Sequence, residues 1–394
     1  MRCAQRLDRF KPSATLAINA AALELKAKGI AITSLAIGEP DFAPPRHVSD
    51  AAKAAIDAGH SRYTDVAGIA ALRQAVAGYY QRLYKVTATE NQVLIGNGGK
   101  QILYNLLLAL INPGDEVLIP APYWLSYPDM VLLVDGVPVS VFAGPEQAFK
   151  VTPAQLEAAR TPRTRALIFN SPSNPTGAVY TRAETDAILT WAMERELFVI
   201  ADEIYDQLVY APAEPYSVSS WWQRFPERCA VVNGLSKTFA MTGWRVGYVL
   251  AHADLAQAMA TIQSQTTSNV CAVAQHAGVA ALNGSYADLH TMRAAFMHRR
   301  DAAWAEIATW PGVACPKPDG AFYLFLDLRA LFASAAPDET SLCATLLREA
   351  NVAVVPGSVF GAPGCIRLSY AVREDELMAA LARMKHVLGG AGAW

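Results

Sequence analysis

Positive charge is not in excess in this sequence. Its 394 residues carry 33 Lys and Arg against 35 Asp and Glu, which gives a formal net charge of −2. A protein that binds a nucleic-acid backbone needs a positive field to attract the phosphates. We therefore expect no nucleic-acid partner.

The cysteines and histidines of this sequence do not occur at the spacings that are typical of metal sites. The six cysteines include no C-x-x-C pair, and the seven histidines form no H-E-x-x-H motif. The spacing predicts neither a metal site nor a disulfide framework. We interpret the cysteines as buried free thiols, because unpaired cysteine is among the most buried residue types.

Long apolar runs are missing as well. The most apolar stretches, at residues 102–111 and 130–134, are shorter than the roughly 18 to 20 residues needed to cross a bilayer. The N-terminus alternates charged with apolar residues and lacks the apolar core of a signal peptide. We expect a cytoplasmic protein that does not insert into membranes.

The composition favours a large folded protein. Hydrophobic residues make up 53% of the chain and charged residues 17%, a balance that excludes intrinsic disorder. At about 150 residues per domain, a chain of this length favours two domains.

Short β-branched runs alternate with stretches of helical period from residue 93 onward. Strands are predicted at residues 116–120, 165–170, 197–201, 230–233 and 246–250, and helices at 101–111 and 182–196. This alternation is typical of βαβ units around a mostly parallel sheet. Ligands of such sheets bind beyond the carboxyl ends of the strands.

The C-terminal third has a different pattern. Helices are predicted at residues 255–282 and 287–309, and strands at 322–328, 352–355 and 366–369. This mixture indicates a second, smaller α+β domain, which the N-terminal segment is expected to join.

The most informative run is NGLSKTFAMTGWRVG at residues 233–247. A lysine near a strand end is usually a solvated cation, but Lys237 follows Ser236 in an apolar sequence, and Arg245 comes eight residues later. A lysine withdrawn from water can form a Schiff base with an aldehyde, and an arginine can hold a phosphate through its planar fork. An aldehyde and a phosphate together describe pyridoxal phosphate.

This run resembles the lysine-centred signature of the class I and II aminotransferases, which are pyridoxal-phosphate enzymes of fold type I. The resemblance extends from IGEPD at residues 37–41 to Arg367 and covers nearly the whole chain. It implies an α/β fold with a large cofactor-binding domain at residues 46–290, in which helices flank a mostly parallel central sheet. Residues 1–45 and 291–394 would form the smaller α+β domain.

Three residues are expected to hold the cofactor ring. The resemblance assigns Asp202, at the end of an apolar strand, to the pyridine nitrogen, which a carboxylate would keep protonated. It assigns Tyr205 and Asn174 to the 3-oxygen of the ring. From the residues alone, Asp202 also fits a helix cap, and Asn174 a turn-rich loop. The resemblance further predicts cis peptide bonds before Pro122 and Pro175.

The run GNGGKQ at residues 96–101 opens a predicted helix, where backbone N–H groups can bind a phosphate. It is not a dinucleotide fingerprint, because Gln101 holds the sixth position, and it is not a P-loop, because no Ser or Thr follows Lys100. The resemblance implies that Gly98, Gly99 and Lys100 bind the cofactor phosphate.

Further cofactor contacts are implied by the resemblance. Ser236, Arg245 and Tyr63 would complete the phosphate site, because Gly234 stands where many relatives carry a hydroxyl. Tyr63 matches a tyrosine that the family lends across a dimer interface, which predicts a homodimer with composite active sites. Trp124 is expected to stack on the ring, with a core aromatic as the alternative.

Arg367 stands in an apolar strand, where a cation is unfavourable unless a carboxylate pairs with it. The resemblance assigns Arg367 to the substrate α-carboxylate, assisted by the backbone of Gly38. Asn174 and Trp124 would also contact the substrate. The cleft between the two domains is then expected to close on binding.

Two short runs resemble the aspartate and aspartate/prephenate aminotransferase subgroup. They are KPSAT at residues 11–15 and GGKQ at residues 98–101. In that subgroup a lysine and a threonine bind the distal carboxylate of the substrate, and the matching residues are Lys100 and Thr15. The alternative is a surface lysine, but a cation at a helix start is unfavourable unless an anionic ligand compensates it.

The predicted function is that of a pyridoxal-phosphate aminotransferase. It would move an amino group between an L-amino acid, aspartate or glutamate, and a 2-oxo acid, with prephenate as a candidate acceptor and Lys237 as general acid and base. The alternatives are a broad-specificity neutral or aromatic aminotransferase and a pyridoxal-phosphate lyase. An effector domain of a transcription regulator is not expected, because the catalytic part begins almost at residue 1.

Overall fold

The computed structural model describes residues 4–9, 14–332 and 337–389 of the chain. The helices in these residues are α1 (Ala14–Ala27), α2 (Arg46–Asp57), α3 (Ala70–Tyr84), α4 (Gly99–Leu110), α5 (Ser126–Leu133), α6 (Pro153–Ala159), α7 (Arg182–Glu194), α8 (Ser219–Arg224), α9 (Leu235–Thr238), α10 (Ala253–Thr266), α11 (Ala272–Asn283), α12 (Ala287–Ile307), α13 (Glu339–Glu349) and α14 (Glu374–Leu388). None of them is both long and apolar enough to cross a membrane.

The strands of the described residues are β1 (Thr33–Ser34), β2 (Val93–Gly96), β3 (Glu116–Ala121), β4 (Val137–Phe142), β5 (Thr164–Asn170), β6 (Phe198–Asp202), β7 (Cys229–Gly234), β8 (Gly247–Leu250), β9 (Tyr323–Asp327), β10 (Val352–Ala353), β11 (Val355–Pro356) and β12 (Cys365–Ser369). Seven of them form a sheet in the order β2-β8-β7-β6-β5-β3-β4. Only β8 runs antiparallel to its neighbours in this sheet. The α/β fold with a mostly parallel sheet is thereby confirmed.

Both faces of this sheet are buried at its central strands, which explains why these strands are nearly continuously apolar, whereas the edge strand β4 is largely exposed. In β6 every residue is buried. Successive side chains of a strand point to opposite faces. Val199 and Ala201 accordingly join the hydrophobic cluster that contains α3 and α7, while Ile200 joins the cluster on the side of α4 and α10.

A smaller antiparallel sheet is built by the C-terminal part, where β12 lies between β11 and β9. The short strand β1 pairs with β10 in parallel, so that main-chain hydrogen bonds join the N-terminal segment to the C-terminal part. The division into residues 46–290 and the remainder stays a prediction. Its second boundary falls within α12.

The predicted helix at residues 255–282 is wrong, because two helices occupy this stretch. Ser268 lies between them in the left-handed region, with φ of 58°. Its N–H donates to the carbonyl of Gln263 and closes the end of α10. Neither Gly nor Pro marks the break, so the apolar period continues through it in sequence.

The expectation that all cysteines are buried is also wrong. Cys271 is exposed at the start of α11, where the loop from α10 turns into the helix. Cys315 is half-buried, and three others are buried: Cys229, Cys343 and Cys365. These five are free thiols, and Cys3 lies outside the described residues.

Candidate active site

The loops that carry the predicted site residues meet at one edge of the seven-stranded sheet. The parallel strands β2, β5, β6 and β7 all end there, and β8 begins there because it runs in the opposite direction. Beside this edge lies a cavity of about 460 Å³. Eleven of the predicted site residues line it: Gly38, Gly99, Lys100, Trp124, Asn174, Asp202, Tyr205, Ser236, Lys237, Arg245 and, from the C-terminal part, Arg367.

Lys237 projects into this cavity from the four-residue helix α9, which follows directly on β7. Its amine donates a hydrogen bond to the carbonyl of Gly38, at 2.5 Å. Withdrawal from water, together with the charges of Arg367 and Arg245, lowers the pKa of Lys237 to about 8, although Glu39 and Asp202 oppose this shift. An amine with this pKa is available as a nucleophile and as a base near neutral pH.

Asp202 is buried at the end of β6 and, within the described residues, forms no ion pair. Its carboxylate accepts hydrogen bonds from the hydroxyl of Tyr127, at 2.7 Å, and from the N–H of Ile204, at 3.2 Å. Burial raises the pKa of Asp202, while these hydrogen bonds and the charge of Lys237 lower it in part. A cationic ligand group in the cavity would therefore be stabilised by this carboxylate.

Asn174 and Tyr205 each contact a residue of the smaller sheet. The side-chain carbonyl of Asn174 accepts from Arg367, at 2.9 Å. The hydroxyl of Tyr205 lies 2.7 Å from that of Tyr323. The peptide bonds before Pro122 and Pro175 are cis, as predicted.

Arg367 is almost completely buried in β12 and, among the described residues, has no carboxylate partner. Its guanidinium donates to the carbonyl of Ala36, at 2.6 Å, and lies over the rings of Tyr323 and Phe360. Its Nε has no acceptor in the described protein. A buried cation with an unused donor is unfavourable until an anion pairs with it, and the geometry therefore fits a carboxylate ligand.

Two glycines shape the turn at the start of α4. Gly98 has φ of 84°, and a Cβ there would lie 2.5 Å from Nη2 of Arg245. A Cβ on Gly247 would lie 2.4 Å from the backbone of Gly98 and Gly99. The first N–H groups of a helix have no intrahelical acceptors. They and the guanidinium of Arg245 lie where they can bind an anion.

Lys100, the second residue of α4, lines the cavity with an exposed side chain that lies over the ring of Trp124, with its amine 4.9 Å from the ring centroid. Partial burial and the charge of Arg245 lower its pKa, while Asp129 raises it. Trp124 in turn packs edge to face against Tyr127.

Among the described residues, two predicted site residues do not line the cavity, Gly98 and Tyr63. Tyr63 is 92% exposed. Thr15 falls within α1, but its side chain lies outside the described part of the structure, as do residues 11–13.

Three contributors were missed in the sequence. Asn170 could have been found, because it ends β5 beside Asp202 and its amide donates to the carbonyl of Asp202, at 2.8 Å. Tyr127 had a weaker signal, namely its position one helical turn after Trp124. No local sequence pattern marks Tyr323 as a site residue, because only the tertiary fold places its ring against the guanidinium of Arg367.

A buried acid, Asp206, is hydrogen-bonded to the end of α9, the helix that carries Lys237. Asp206 accepts from the hydroxyls of Tyr79 and Tyr84 on α3 and, at 3.4 Å, from Thr238 at the end of α9. Burial raises the pKa of Asp206. This network joins α9 to α3 and fixes the backbone next to Lys237.

Pyridoxal phosphate fits these residues on the grounds of the structure itself. The unpaired carboxylate of Asp202 suits a protonated ring nitrogen, and the glycine turn with Arg245 suits a phosphate. Lys237 lines the same cavity. Fold and site thus define a pyridoxal-phosphate enzyme of the α/β type.

The family is shown by comparison with known proteins. The family model "Aminotransferase class I and II" matches residues 30–384, and this chain belongs to that family. It is a pyridoxal-phosphate-dependent aminotransferase.

Individual relatives match over almost their whole length. The chain is 46% identical to an aspartate/prephenate aminotransferase of Cereibacter sphaeroides and 41% identical to an aspartate aminotransferase of Bacillus subtilis, with 98% of each chain covered in both cases. The structure is similar to that of the aspartate aminotransferase of Thermus thermophilus with maleate, with a TM-score of 0.93 and 42% identity. That match covers 98% of this chain and 100% of the other.

We expect Gly247→Ala to weaken cofactor binding. The added methyl group would meet the backbone of Gly98 and Gly99, which cannot move aside without displacing the turn. The dissociation constant for pyridoxal phosphate should rise at least about tenfold, and overpacking should lower the free energy of unfolding by about 1 to 3 kcal/mol. Titration of the cofactor-free protein followed by absorbance, and denaturant unfolding, measure the two effects.

Gly243→Ala is the matched control for this variant, because a Cβ at Gly243 meets nothing within 4 Å. It should bind the cofactor as the wild type does. Equal affinities of both variants would show that the turn does not depend on the close approach of Gly247.

Proposed function

We propose that this aminotransferase exchanges an amino group between a dicarboxylic L-amino acid, aspartate or glutamate, and a 2-oxo acid, with prephenate as a candidate acceptor. The observation that carries this proposal is the pair of cations on one cavity. Arg367 is buried and Lys100 is exposed, and both line the cavity. The two can bind the two carboxylates of one substrate.

Lys237 is proposed as the catalytic base and acid. Bound pyridoxal phosphate supplies an aldehyde that takes up the amino group and a ring that withdraws electrons from the substrate α-carbon. The amine of Lys237 would remove the proton from that carbon and return it to the cofactor side. Its pKa of about 8 supports this role, because both protonation states of the amine are accessible near neutral pH.

The other residues are proposed to bind and orient. Asp202 would keep the ring nitrogen protonated, which Tyr127 assists by fixing one carboxylate oxygen. Asn174 would serve both the cofactor and the substrate, because it already holds one donor of Arg367. Arg367 would bind the α-carboxylate, because it lines the cavity and carries a buried positive charge.

The dicarboxylic preference also has support from the relatives. The Cereibacter sphaeroides protein is named an aspartate/prephenate aminotransferase, as is a relative from Thermus thermophilus that is 43% identical. The Thermus thermophilus structure was solved with maleate, which is a dicarboxylate. A relative from Streptococcus mutans, 41% identical, is named an asparagine–oxo-acid transaminase. A distal amide therefore belongs among the substrates to be tested.

We further propose a homodimer whose partner subunit completes each phosphate site with Tyr63. The side chain of Tyr63 is 92% exposed in the single chain, although large aromatic side chains are usually buried. Closure of residues 1–45 and 291–394 over residues 46–290 is proposed to accompany substrate binding. A cytoplasmic location is proposed too, supported by the five free thiols of the described residues.

Lys237→Ala should lose transamination by at least about a hundredfold, because a positioned acid and base contributes 10²- to 10⁴-fold. Steady-state assays with aspartate and 2-oxoglutarate measure the loss, and circular dichroism checks the fold. Borohydride treatment of the wild-type holoenzyme should attach the cofactor to Lys237. Labelling of another lysine, or near-normal turnover of the variant, would contradict the assignment.

Lys100→Ala should reduce kcat/KM for aspartate and glutamate by about ten- to a hundredfold, since a hydrogen bond to a charged group is worth roughly 1.5 to 3 kcal/mol. The value for alanine should stay unchanged. Lys53→Ala, an exposed lysine outside the cavity, is the control. An equal loss for alanine and aspartate would instead assign Lys100 to the cofactor or the fold.

Tyr63→Phe should weaken pyridoxal-phosphate binding about tenfold in the dimer, because one hydrogen bond to a charged phosphate is lost. Sedimentation should show a dimer for both proteins. Tyr104→Phe, on α4 and outside the cavity, serves as the control. A fully active wild-type monomer, or unchanged cofactor affinity of Tyr63→Phe, would refute the composite site.

A further inference from the structure

Residues 35–39, which we call the strap, cross the mouth of the cavity and connect β1 with the segment that leads to α2. The strap is fixed to the C-terminal part at its beginning. The N–H of Leu35 donates to the carbonyl of Ala353, and the carbonyl of Leu35 accepts from the N–H of Ser369, at 2.7 Å. The carbonyl of Ala36 accepts from Arg367.

The far end of the strap reaches the lysine side of the cavity. Two hydrogen bonds join it there, among the residues that the structure describes: Lys237 donates to the carbonyl of Gly38, and the hydroxyl of Thr242 donates to the carboxylate of Glu39. The two contacts are not equivalent. The amine of Lys237 has to leave Gly38 when it acts on cofactor and substrate, whereas Thr242 takes no part in that chemistry.

Thr242 also belongs to the loop that presents the phosphate arginine. Its carbonyl accepts from Nη1 of Arg245, at 2.9 Å, and its side chain lines the cavity. The contact with Glu39 therefore connects the loop on the cofactor side with the strap on the substrate side. Gly38, next to Glu39, packs so closely on Tyr323 that an added Cβ would lie 2.4 Å from its hydroxyl oxygen.

We propose that Glu39 is a positioning residue, which through its hydrogen bond from Thr242 holds the strap across the cavity while Lys237 is engaged elsewhere. The strap then keeps the carbonyl of Ala36 on Arg367, and so fixes the guanidinium that faces the substrate carboxylate. Glu39 is itself exposed and outside the cavity lining. Its hydrogen bond acts on the reaction through the strap, whereas its charge separately raises the pKa of Lys237. This inference rests on the proposed role of Arg367.

Separate variants isolate the contact. Thr242→Val removes the donor at almost constant volume, and Glu39→Ala removes the acceptor. Each should raise KM for aspartate about tenfold, the effect of one lost hydrogen bond of about 1.4 kcal/mol. Thr242→Val keeps the charge of Glu39, which raises the pKa of Lys237, and should leave kcat within about twofold. The double variant should have the KM of either single variant, because all three lack the same contact. Glu39→Gln keeps a side-chain oxygen that can accept from Thr242, so its KM for aspartate should stay close to that of the wild type.

Hydrogen exchange of the cofactor-free protein provides a readout that needs no activity. Peptides that cover residues 35–41 should exchange several-fold faster in Thr242→Val and Glu39→Ala than in the wild type. Glu24→Gln, an exposed glutamate on α1 outside the cavity, is the control and should change neither exchange nor KM. The exchange experiment tests the proposed role of Glu39 separately from the proposed substrate, because it reports on the strap even if aspartate proves not to be a substrate.

Two results would overturn the inference. Unchanged exchange in both single variants would show that Thr242 does not hold the strap. Faster exchange with an unchanged KM, or effects on KM that multiply in the double variant, would show that the contact exists without positioning the substrate site.

Discussion

Three charged groups without ionic partners in the described residues determine the character of this site, two of them buried and the third half-buried. Lys237, Asp202 and Arg367 are each held by neutral groups of the described protein, namely a carbonyl, a hydroxyl and N–H, and two carbonyl oxygens. An unpaired charge away from water is unfavourable by several kcal/mol. Ligand groups of the opposite charge relieve this penalty, so the protein is arranged to favour binding of an anion at Arg367 and a cation at Asp202.

The sheet supplies the rigidity that such an arrangement needs. Gly96, Gly247 and Gly234 are register partners on three adjacent strands at the edge where the cavity lies. Without side chains there, β8 approaches the turn of Gly98 and Gly99 closely. The reversed direction of β8 places its first residue, and Arg245 shortly before it, at the same edge as the ends of the parallel strands.

The proposed substrate recognition depends on cavity residues that come from distant parts of the chain. Arg367 reaches Ala36 across 331 residues of sequence, and Lys237 reaches Gly38 across 199. These contacts join the strap, the lysine helix and β12 into one cavity. Movement of the strap would therefore act on Arg367 and on the space around Lys237 together, which connects substrate binding with access to the reacting amine.

The sequence by itself determined the class of chemistry and most of the fold. The run around Lys237 indicated an aldehyde and a phosphate, and the alternation of strands and helices predicted the mostly parallel sheet, because both signals are local. The break between α10 and α11, the exposure of Cys271 and the contributions of Tyr127 and Tyr323 were decided only by tertiary structure. Each depends on what packs against a residue, and a side chain acquires such neighbours through contacts across hundreds of residues that no local pattern records. The same holds for the lowered pKa of Lys237, since its main cause is burial beneath the strap and the smaller sheet.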